Sequence, residues 1–371
     1  MIVKLYPEDF FVKELLDLPI STGPYSYYLL KKKNVNFFHV LDIISQKWKI
    51  SRERFGYCGI KDKRALTEQY ISIKYGPAEG IKGKGFALFF LGKGDKPLRI
   101  GDAYGNLFRV TLRRVDPKRI SKSIQIVGEI GFANYFGKQR FTPDLYSSRP
   151  IARLLLEGKF EEALKEYFLG HYSSKVRQML EMSPDKLLDF VSGIKGLSKM
   201  DKVVLKRFAK KKDAEYALRA YPKAIKLMFF FSYQSVIWNR ILNEIINENA
   251  ETFTVRITRR HKVSFYKSIT SHLNAILNLE LPYVSEEIYS LSDRYIRQKI
   301  IKWVEKENLE PHINKEIIGL KPFLAGKRKI VAFPYEAKML DYTRNTCVLE
   351  FSLPSGSYGT VFLLKVLNYP L

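Results

Sequence analysis

Cysteine and histidine, the usual ligands of structural metals, are scarce in this sequence. The 371 residues include only 2 cysteines and 5 histidines. Cys58 and Cys347 are far apart, and each histidine stands alone. A structural zinc site needs four such ligands at close spacings, so we expect no metal site. Because no histidine close in sequence could activate Cys58, we interpret it as a small buried side chain rather than a nucleophile.

Long apolar runs are missing as well. A membrane-spanning helix needs about 18–20 consecutive apolar residues, and the apolar cluster at residues 227–231 is far shorter. The first nine residues also lack the extended apolar segment of a signal peptide. We therefore expect a soluble protein of the cytoplasm.

Acidic residues are too few to balance the basic ones. The chain has 63 Lys and Arg against 38 Asp and Glu, which gives a formal net charge of +25. Such an excess repels itself unless the partner is a polyanion. Aromatic residues make up 14% of the chain, and rings beside cations are what a protein needs to stack on bases. This composition favours a nucleic-acid partner over a membrane surface.

Glycine patterns that hold nucleotide cofactors are not completed. Residues 80–85 contain three glycines and two lysines. A P-loop would need Lys and Ser or Thr directly after Gly85, where Phe86 and Ala87 stand, and a dinucleotide fingerprint would need a glycine at Leu88. We interpret the segment as a hairpin connection, and we expect no cofactor.

One carboxylate lies among cations in a short loop at residues 59–69. Asp62 is flanked by Lys61, Lys63 and Arg64, and strand-like segments come before and after the loop. Nearby opposite charge favours the ionised form of a carboxylate. An ionised aspartate in a glycine-bounded loop suits a nucleophile, a base or a gate that excludes phosphate. The alternative is an ordinary solvated ion pair.

A second dense stretch covers residues 131–141. It brings together four aromatic rings, two amides and two cations. Polar groups that can recognise a base edge and rings that can stack on the base therefore occur side by side. The alternative is a buried aromatic turn with no contact to a ligand.

These strings resemble the TruD family of tRNA pseudouridine synthases. The loop matches the family's catalytic pattern, Gly-x-Lys-Asp-x-x-Ala-x-Thr, at every fixed position from Gly59 to Thr67. The second stretch is nearly identical to the family's Asn-Tyr-Phe-Gly-x-Gln-Arg-Phe-Gly motif from Asn134 to Phe141. Further matches at residues 7–14, 105–108, 232–239 and 353–360 extend the resemblance over nearly the whole chain.

The resemblance implies a role for each site residue. Asp62 would be the catalytic residue, Phe136 would stack on the target uracil, and Arg140 would hold a phosphate or Asp62. Two amides of the motif would orient its loop, and a lysine near the N-terminus would lie near the active site. The substrate-binding set is Phe136, Asn134, Gln139, Arg140, Lys61 and Lys4.

The resemblance also implies the substrate and the architecture. The substrate would be tRNA, modified at position 13 of the D-arm, with other RNA sites left open, and the enzyme would be a monomer that needs no cofactor. The fold would be α+β. Residues 1–149 and 322–371 would form a catalytic domain whose mixed or antiparallel sheet is built from both chain ends. Residues 150–321 would form a helix-rich α+β insertion domain.

Four positions, at three places in the chain, depart from the family pattern. Phe37 stands where the family has Thr, Thr142 replaces the last Gly of the second motif, and Leu364-Lys365 replace an Arg-Glu pair. These departures leave open a catalytically weak RNA-binding or RNA-folding relative. A different RNA modifier, such as a methyltransferase, would need the cofactor loop that the glycine patterns fail to provide.

Local periodicity predicts the main elements. Strand-like alternation occurs at residues 25–30, where the run Lys31-Lys32-Lys33 would end the strand, and at residues 70–73, 330–333 and 347–351. Helical periodicity occurs at residues 40–48, 151–167, 183–191, 202–220 and 224–249.

Overall fold

The computed structural model describes residues 2–3, 5–144, 149–171, 182–193, 197–258 and 261–371. The chain divides into two compact units. The first comprises Met1–Asn134 and Val331–Leu371, and the second comprises Tyr135–Ile330.

Strands are concentrated in the two ends of the chain. In chain order they are β1 (Ile2–Val3), β2 (Phe10–Leu15), β3 (Tyr25–Lys33), β4 (Phe55–Tyr57), β5 (Leu66–Lys74), β6 (Ile81–Gly83), β7 (Phe86–Gly94), β8 (Gly105–Arg113), β9 (Phe132–Ala133), β10 (Thr252–Arg256), β11 (Lys262–Tyr266), β12 (Glu280–Pro282), β13 (Lys327–Lys329), β14 (Val331–Ala332), β15 (Glu336–Tyr342) and β16 (Thr346–Pro354).

Helices dominate the middle of the chain. The α-helices of the described residues are α1 (Phe37–Trp48), α2 (Pro117–Ile130), α3 (Ile151–Leu156), α4 (Phe160–His171), α5 (Pro184–Gly193), α6 (Lys199–Lys211), α7 (Ala214–Leu218), α8 (Lys223–Asn249), α9 (Ser271–Ile276), α10 (Arg294–Lys306) and α11 (Gly359–Asn368). Short 3₁₀ segments occupy Pro7–Asp9, Arg52–Arg54, Lys138–Asp144, Glu286–Ser290 and Glu310–His312.

The first unit is organised around one mixed sheet. Among the described residues, eight strands follow the order β15-β16-β8-β2-β5-β3-β7-β6, with β1 added to β8 and β4 added to β5. The β2–β5 pair is parallel, and the other pairs are antiparallel. Strand β16, from the C-terminal segment, pairs with β8, so both chain ends build the sheet. The predicted α+β fold with a sheet of this kind is confirmed.

Strand β3 runs further than its sequence suggested. The predicted strand at residues 25–30 exists, but the run of three lysines continues it to Lys33 instead of ending it. Because side chains alternate between the two faces of a strand, Lys31 and Lys33 are exposed while Lys32 is buried. The prediction that the lysine run closes the strand is therefore wrong.

Helix α1 follows its predicted pattern. The Asn36 side chain accepts a hydrogen bond from the backbone N–H of His39 and caps the helix start. Its buried face, which includes Val40 and Ile44, joins a core cluster with sheet residues such as Ile71. The apolar spacing of three and four residues thus places one helix stripe on the sheet.

Two predicted helices of the second unit are each interrupted. Residues 151–167 form α3 and the first part of α4, separated where Gly158 adopts a left-handed φ of 74°. Residues 202–220 form most of α6 and then α7, separated at Lys212, whose φ is 53°. The element type was predicted correctly, but the periodicity did not reveal a one-residue change of backbone direction.

Helix α8 organises the core of the second unit. Its 27 residues bury most of their side chains, including Trp238. The predicted helix at residues 224–249 is confirmed to within one residue at its start. Neither α8 nor any other described helix is both long and apolar enough to cross a membrane.

Candidate active site

Asp62 lies in the loop that joins β4 to β5, as the sequence predicted. Residues 58–65 form neither helix nor strand. The side chain of Asp62 is half-buried, while those of Lys63 and Arg64 are exposed. The backbone at Ala65 turns back into the sheet, and its side chain is fully buried. Asp62 is therefore reachable from solvent on a loop that is fixed at both ends.

Lys61 pairs with a buried carboxylate rather than extending into solvent. Its Nζ lies 2.6 Å from Oε1 of Glu14, whose side chain is buried in β2. The other carboxylate oxygen accepts a hydrogen bond from the backbone N–H of Tyr70 at 3.0 Å. A buried carboxylate is costly without such partners, so this pair fixes the loop residue next to Asp62.

Lys32 holds the peptide of the candidate catalytic residue. Its Nζ donates to the backbone oxygen of Asp62 at 2.6 Å and to that of Lys61 at 3.3 Å. Only 1% of Lys32 is exposed. Burial lowers the pKa of its ammonium to about 8, and the negative charge of Asp62 acts in the opposite direction. The fold thus places a cation at the backbone of this loop.

A third buried side chain completes the support. Gln69, in β5, donates from Nε2 to the backbone oxygen of Gly59 at 3.1 Å. Glu14, Lys32 and Gln69 come from β2, β3 and β5, which are neighbours in the sheet. Three buried polar groups therefore define the backbone from residue 59 to residue 62. Support of this kind holds a reactive group in place before the substrate arrives.

Cys58 does not provide a reactive group beside this loop. It is buried, and burial raises the pKa of its thiol to about 12. A thiol in such surroundings is not a nucleophile at neutral pH. Within the described part of the chain, no three His, Cys, Asp or Glu side chains lie close enough to bind a metal ion together.

The first four residues of the stretch at residues 131–141 belong to the first unit. Gly131 ends α2 with a φ of 71°, and a Cβ there would lie 2.8 Å from the backbone oxygen of Ala332. Phe132 and Ala133 form β9, which pairs with β14. Asn134 is buried at the end of this segment. Close packing therefore requires glycine at position 131, and the strand pairing fixes the chain from there to Asn134.

The next part of the motif belongs to the second unit. Asn239 of α8 accepts a hydrogen bond from the Phe136 N–H at 2.8 Å and donates to the Phe136 backbone oxygen at 3.0 Å. The Tyr135 hydroxyl donates to the backbone oxygen of Ser264 at 2.8 Å, and burial raises the pKa of that hydroxyl. These contacts fix the backbone of Phe136 and the side chain of Tyr135.

Two guanidinium groups lie against the Phe136 ring. Arg140 lies 5.4 Å and Arg328 lies 4.5 Å from the ring centroid. Trp238 meets the same ring edge-to-face at 5.3 Å, and only 5% of Phe136 is exposed. The ring predicted to stack on a base is therefore surrounded by cationic and aromatic side chains, and it is largely covered in this structure.

Comparison with known proteins shows the family. The sequence model described as "tRNA pseudouridine synthase D (TruD)" matches residues 1–366. The chain belongs to the TruD family. It is 33% identical to a protein of Aquifex aeolicus named "tRNA pseudouridine synthase D", and the match covers 98% of this chain and 97% of that one. The family predicted from the sequence motifs is confirmed.

More distant TruD proteins match over a similar span. A protein of Methanococcus maripaludis named "Probable tRNA pseudouridine synthase D 1" is 27% identical, and the match covers 97% of this chain and 98% of that one. The crystal structure of a Methanosarcina mazei protein described as TruD aligns with a TM-score of 0.64 at 25% identity. That alignment covers 98% of this chain and 93% of the other. The likeness therefore extends over the whole fold.

The other site residues predicted from the TruD resemblance are distributed as follows. Gln139 is exposed, and Arg140 is half-buried, with its Nε donating to the Ser235 hydroxyl at 3.1 Å. Asp62 and Asn134 belong to the first unit, whereas the motif from Tyr135 onward belongs to the second. Lys4 lies outside the described residues. Thr142, where the sequence departs from the family pattern, has its side chain outside the described part of the structure. The assigned roles of these residues stay predictions.

One departure from the TruD pattern has a clear structural setting. Lys365 of α11 is completely buried, and its Nζ donates to the backbone oxygen of Gly131 at 2.8 Å. Burial lowers the pKa of this amine well below its usual value. The lysine that the resemblance sets against a family Glu therefore binds Gly131, just before the second motif begins.

Several supporting residues were not predicted as part of the site. The stretch at residues 232–239 was given no role in the site, yet its Ser235 and Asn239 bind Arg140 and Phe136. Arg328 was not named, and Lys32 was named only as part of the lysine run expected to end a strand. A polar residue in a run of buried apolar ones is the only sequence signal for Asn239. Lys32 could have been found by continuing the strand alternation through the lysines.

Proposed function

We propose that this protein converts uridine to pseudouridine in tRNA, at position 13 of the D-arm, with Asp62 as the catalytic residue. The observation that carries the proposal is the complete catalytic motif on a backbone held by Glu14, Lys32 and Gln69 in a member of the TruD family. A fixed, half-buried carboxylate suits a reaction that depends on its position.

The reaction rearranges the substrate and transfers nothing to or from it. The target nucleotide must first leave its stack, because its reacting atoms are inaccessible inside folded RNA. Asp62 then acts at the sugar, either by attacking C1′ or by removing the proton at C2′, and the C1′–N1 bond breaks. The detached uracil turns, and its C5 bonds to C1′. In the first route this bond displaces the Asp62 carboxylate from C1′, and in the second route Asp62 returns the proton to C2′. The C5 proton then moves to solvent as N1 takes one up. Oxidation states balance without a redox partner.

The substrate-binding roles follow from the chemistry of the residues. Phe136 would stack on the base, as aromatic rings do with unstacked nucleotides. Because two guanidiniums now lie against that ring, stacking would need one of them to move. Arg140 is half-buried and Arg328 is buried, so we assign the movement to Arg140. Gln139, Lys4 and the other predicted binding residues would contact RNA or orient the loop.

A domain built from both chain ends would carry out the catalytic step. We propose that residues 1–149 and 322–371 are the catalytic domain and that residues 150–321 are an insertion that adds RNA contacts. The net charge of +25 supports an RNA partner. We further propose a monomer that acts in the cytoplasm.

Pseudouridine mapping on unmodified tRNA transcripts tests this function. The purified protein, without added cofactor, should form pseudouridine at position 13, and a transcript with cytidine at that position should gain none there. Modification at another uridine would retain the enzyme class and overturn the position. A protein that binds the transcripts and never modifies them would favour the RNA-binding alternative raised by Leu364 and Lys365.

A further inference from the structure

Helix α6 carries an unusual excess of positive charge. From Lys199 to Lys212 there are seven cations and one acid, Asp201. That acid is 3% exposed and accepts hydrogen bonds from Ser198 and Tyr221, each at 2.6 Å. Its charge is therefore directed inward and does not neutralise the outer face. The seven are Lys199, Lys202, Lys206, Arg207, Lys210, Lys211 and Lys212.

The cations occupy the face of α6 opposite its apolar stripe. Val204, Leu205 and Phe208 are buried in the second unit, whereas Lys206 and Lys210 are exposed. Lysines at spacings of three and four residues lie on one side of a helix. With a rise of about 1.5 Å per residue, the row from residue 199 to residue 210 is about 16 Å long.

In a second basic helix of the same unit, α10, lysines are paired with carboxylates. In α10, Lys302 lies 3.1 Å from a carboxylate oxygen of Glu244, and Lys299 pairs with Glu248. Among the described residues, by comparison, none of the seven cations of α6 and its C-cap forms an ion pair with a carboxylate. Like charges on one helix face repel each other, so the fold keeps a repulsive row without internal compensation.

An aromatic ring lies within this row. Tyr216 of α7 has the Lys211 ammonium 4.4 Å and the Arg207 guanidinium 5.3 Å from its ring centroid. The ring is half-buried. These contacts hold two of the cations at the surface beside a group that can contact a sugar or a base.

We infer that the outer face of α6, the α6 basic face, binds the phosphate backbone of the substrate RNA. The inference rests on the proposed function for the identity of the RNA. A membrane surface fits less well, because an interfacial helix needs a continuous exposed apolar face. The apolar stripe of α6 is packed inside, and Val203 is exposed singly among the cations. Phosphate contacts of this kind give affinity and orientation without selecting a sequence.

The salt dependence of binding tests the inference. The variant Lys206→Gln/Lys210→Gln removes two exposed cations of the α6 basic face. The control, Lys302→Gln/Lys306→Gln, removes two charges from α10, where Glu244 and the Trp303 ring already hold the lysines. The dissociation constant of an unmodified tRNA transcript is measured for each protein between low and moderate salt. Pseudouridine formation at saturating RNA is measured in parallel.

The α6 variant should bind the transcript severalfold more weakly at low salt. Its log–log salt slope should fall by roughly 1.4–1.8, since each lost phosphate contact removes about 0.7–0.9. The control variant should keep the original slope, and neither variant should lose kcat. Equal slopes for the α6 variant and the unaltered protein, or equal losses in both variants, would overturn the inference. Failure to form pseudouridine would count against the proposed function alone, because the slopes are read from binding.

Discussion

The ammonium of Lys32 donates a hydrogen bond of 2.6 Å to the backbone oxygen of Asp62. Lys32 is a buried residue near the end of strand β3. Asp62 carries the carboxylate on which the proposed chemistry depends. A buried cation at this peptide both fixes the loop and places positive charge near the carboxylate. The Asp62 loop is therefore supported from within the sheet, by a side chain that is almost completely buried.

Replacing Lys32 should reduce the rate of the reaction more than RNA binding. We expect Lys32→Met to lower kcat by about tenfold or more, because the loop loses two hydrogen bonds and its buried charge. The dissociation constant for tRNA should stay nearly unchanged. Single-turnover pseudouridine formation and filter binding measure the two effects, and an equal loss in both would contradict the positioning role.

The activity supported by Lys32 should also depend on pH. Its pKa is lowered from 10.5 to about 8, so the folded protein loses this proton as the pH rises through about 8. We expect activity to fall over that range in the unaltered protein. Lys32→Arg keeps its charge and should retain its activity above pH 8 relative to its own value at pH 7. A thermal melt checks that this variant folds. Identical pH profiles for both proteins would contradict the prediction.

The free energy of unfolding should rise, whereas activity falls, as the pH increases above about 8. Between about pH 8 and pH 10.5 the unfolded chain holds a proton on Lys32 that the folded protein has released. The free energy of unfolding therefore gains a contribution from Lys32 as the pH rises through this window. In urea unfolding the gain should be larger for the unaltered protein than for Lys32→Met, because other buried amines such as Lys365 contribute equally to both. A parallel pH dependence in both would contradict the depressed pKa.

Asn239 should stabilise the folded protein through its hydrogen bonds to the Phe136 backbone in the second motif. Asn239→Ala removes both hydrogen bonds to the Phe136 backbone and leaves a buried N–H and C=O without their partner. We expect the free energy of unfolding to fall by about 2–4 kcal/mol. Asn274→Ala, at an exposed position of α9, should change it by less than about 0.5 kcal/mol. Urea unfolding compares the two, and similar losses would contradict the account.

Lys365 should not tolerate the glutamate found in the family pattern. Lys365→Glu places a carboxylate beside the Gly131 backbone oxygen, which is an acceptor and cannot donate. We expect a loss of about 3 kcal/mol or more in the free energy of unfolding. Lys365→Met loses the hydrogen bond but buries no charge, so it should cost about 1–2 kcal/mol. If the Glu variant is as stable as the Met variant, the described setting of Lys365 is wrong.

The sequence predicted the site where local patterns were sufficient. The Asp62 loop, its flanking strands and the helix at residues 40–48 could be recognised from contiguous residues. The breaks at Gly158 and Lys212 could not, because a single left-handed residue leaves apolar periodicity almost unchanged. Strand β3 was cut short because the run of three adjacent lysines was interpreted as the end of the strand.

Long-range partners were the least visible from sequence. Asn239 binds a residue 103 positions earlier in the chain, and Glu14 pairs with Lys61 across 47 positions. Nothing local distinguishes such a pair from two independent polar residues. Burial is the missing information, since a buried amide or carboxylate must find a partner and an exposed one need not.

Asp62→Asn tests the central claim most directly. The substitution keeps the size of the side chain and removes its charge, and Asp341→Asn makes the same change at an exposed position of β15. On unmodified tRNA transcripts, with protein in excess, Asp62→Asn should bind as tightly as the unaltered protein. It should form pseudouridine at least roughly 1,000-fold more slowly, while Asp341→Asn should match the unaltered protein. Pseudouridine formation by Asp62→Asn at the unaltered rate would contradict the assignment of Asp62 as the catalytic residue.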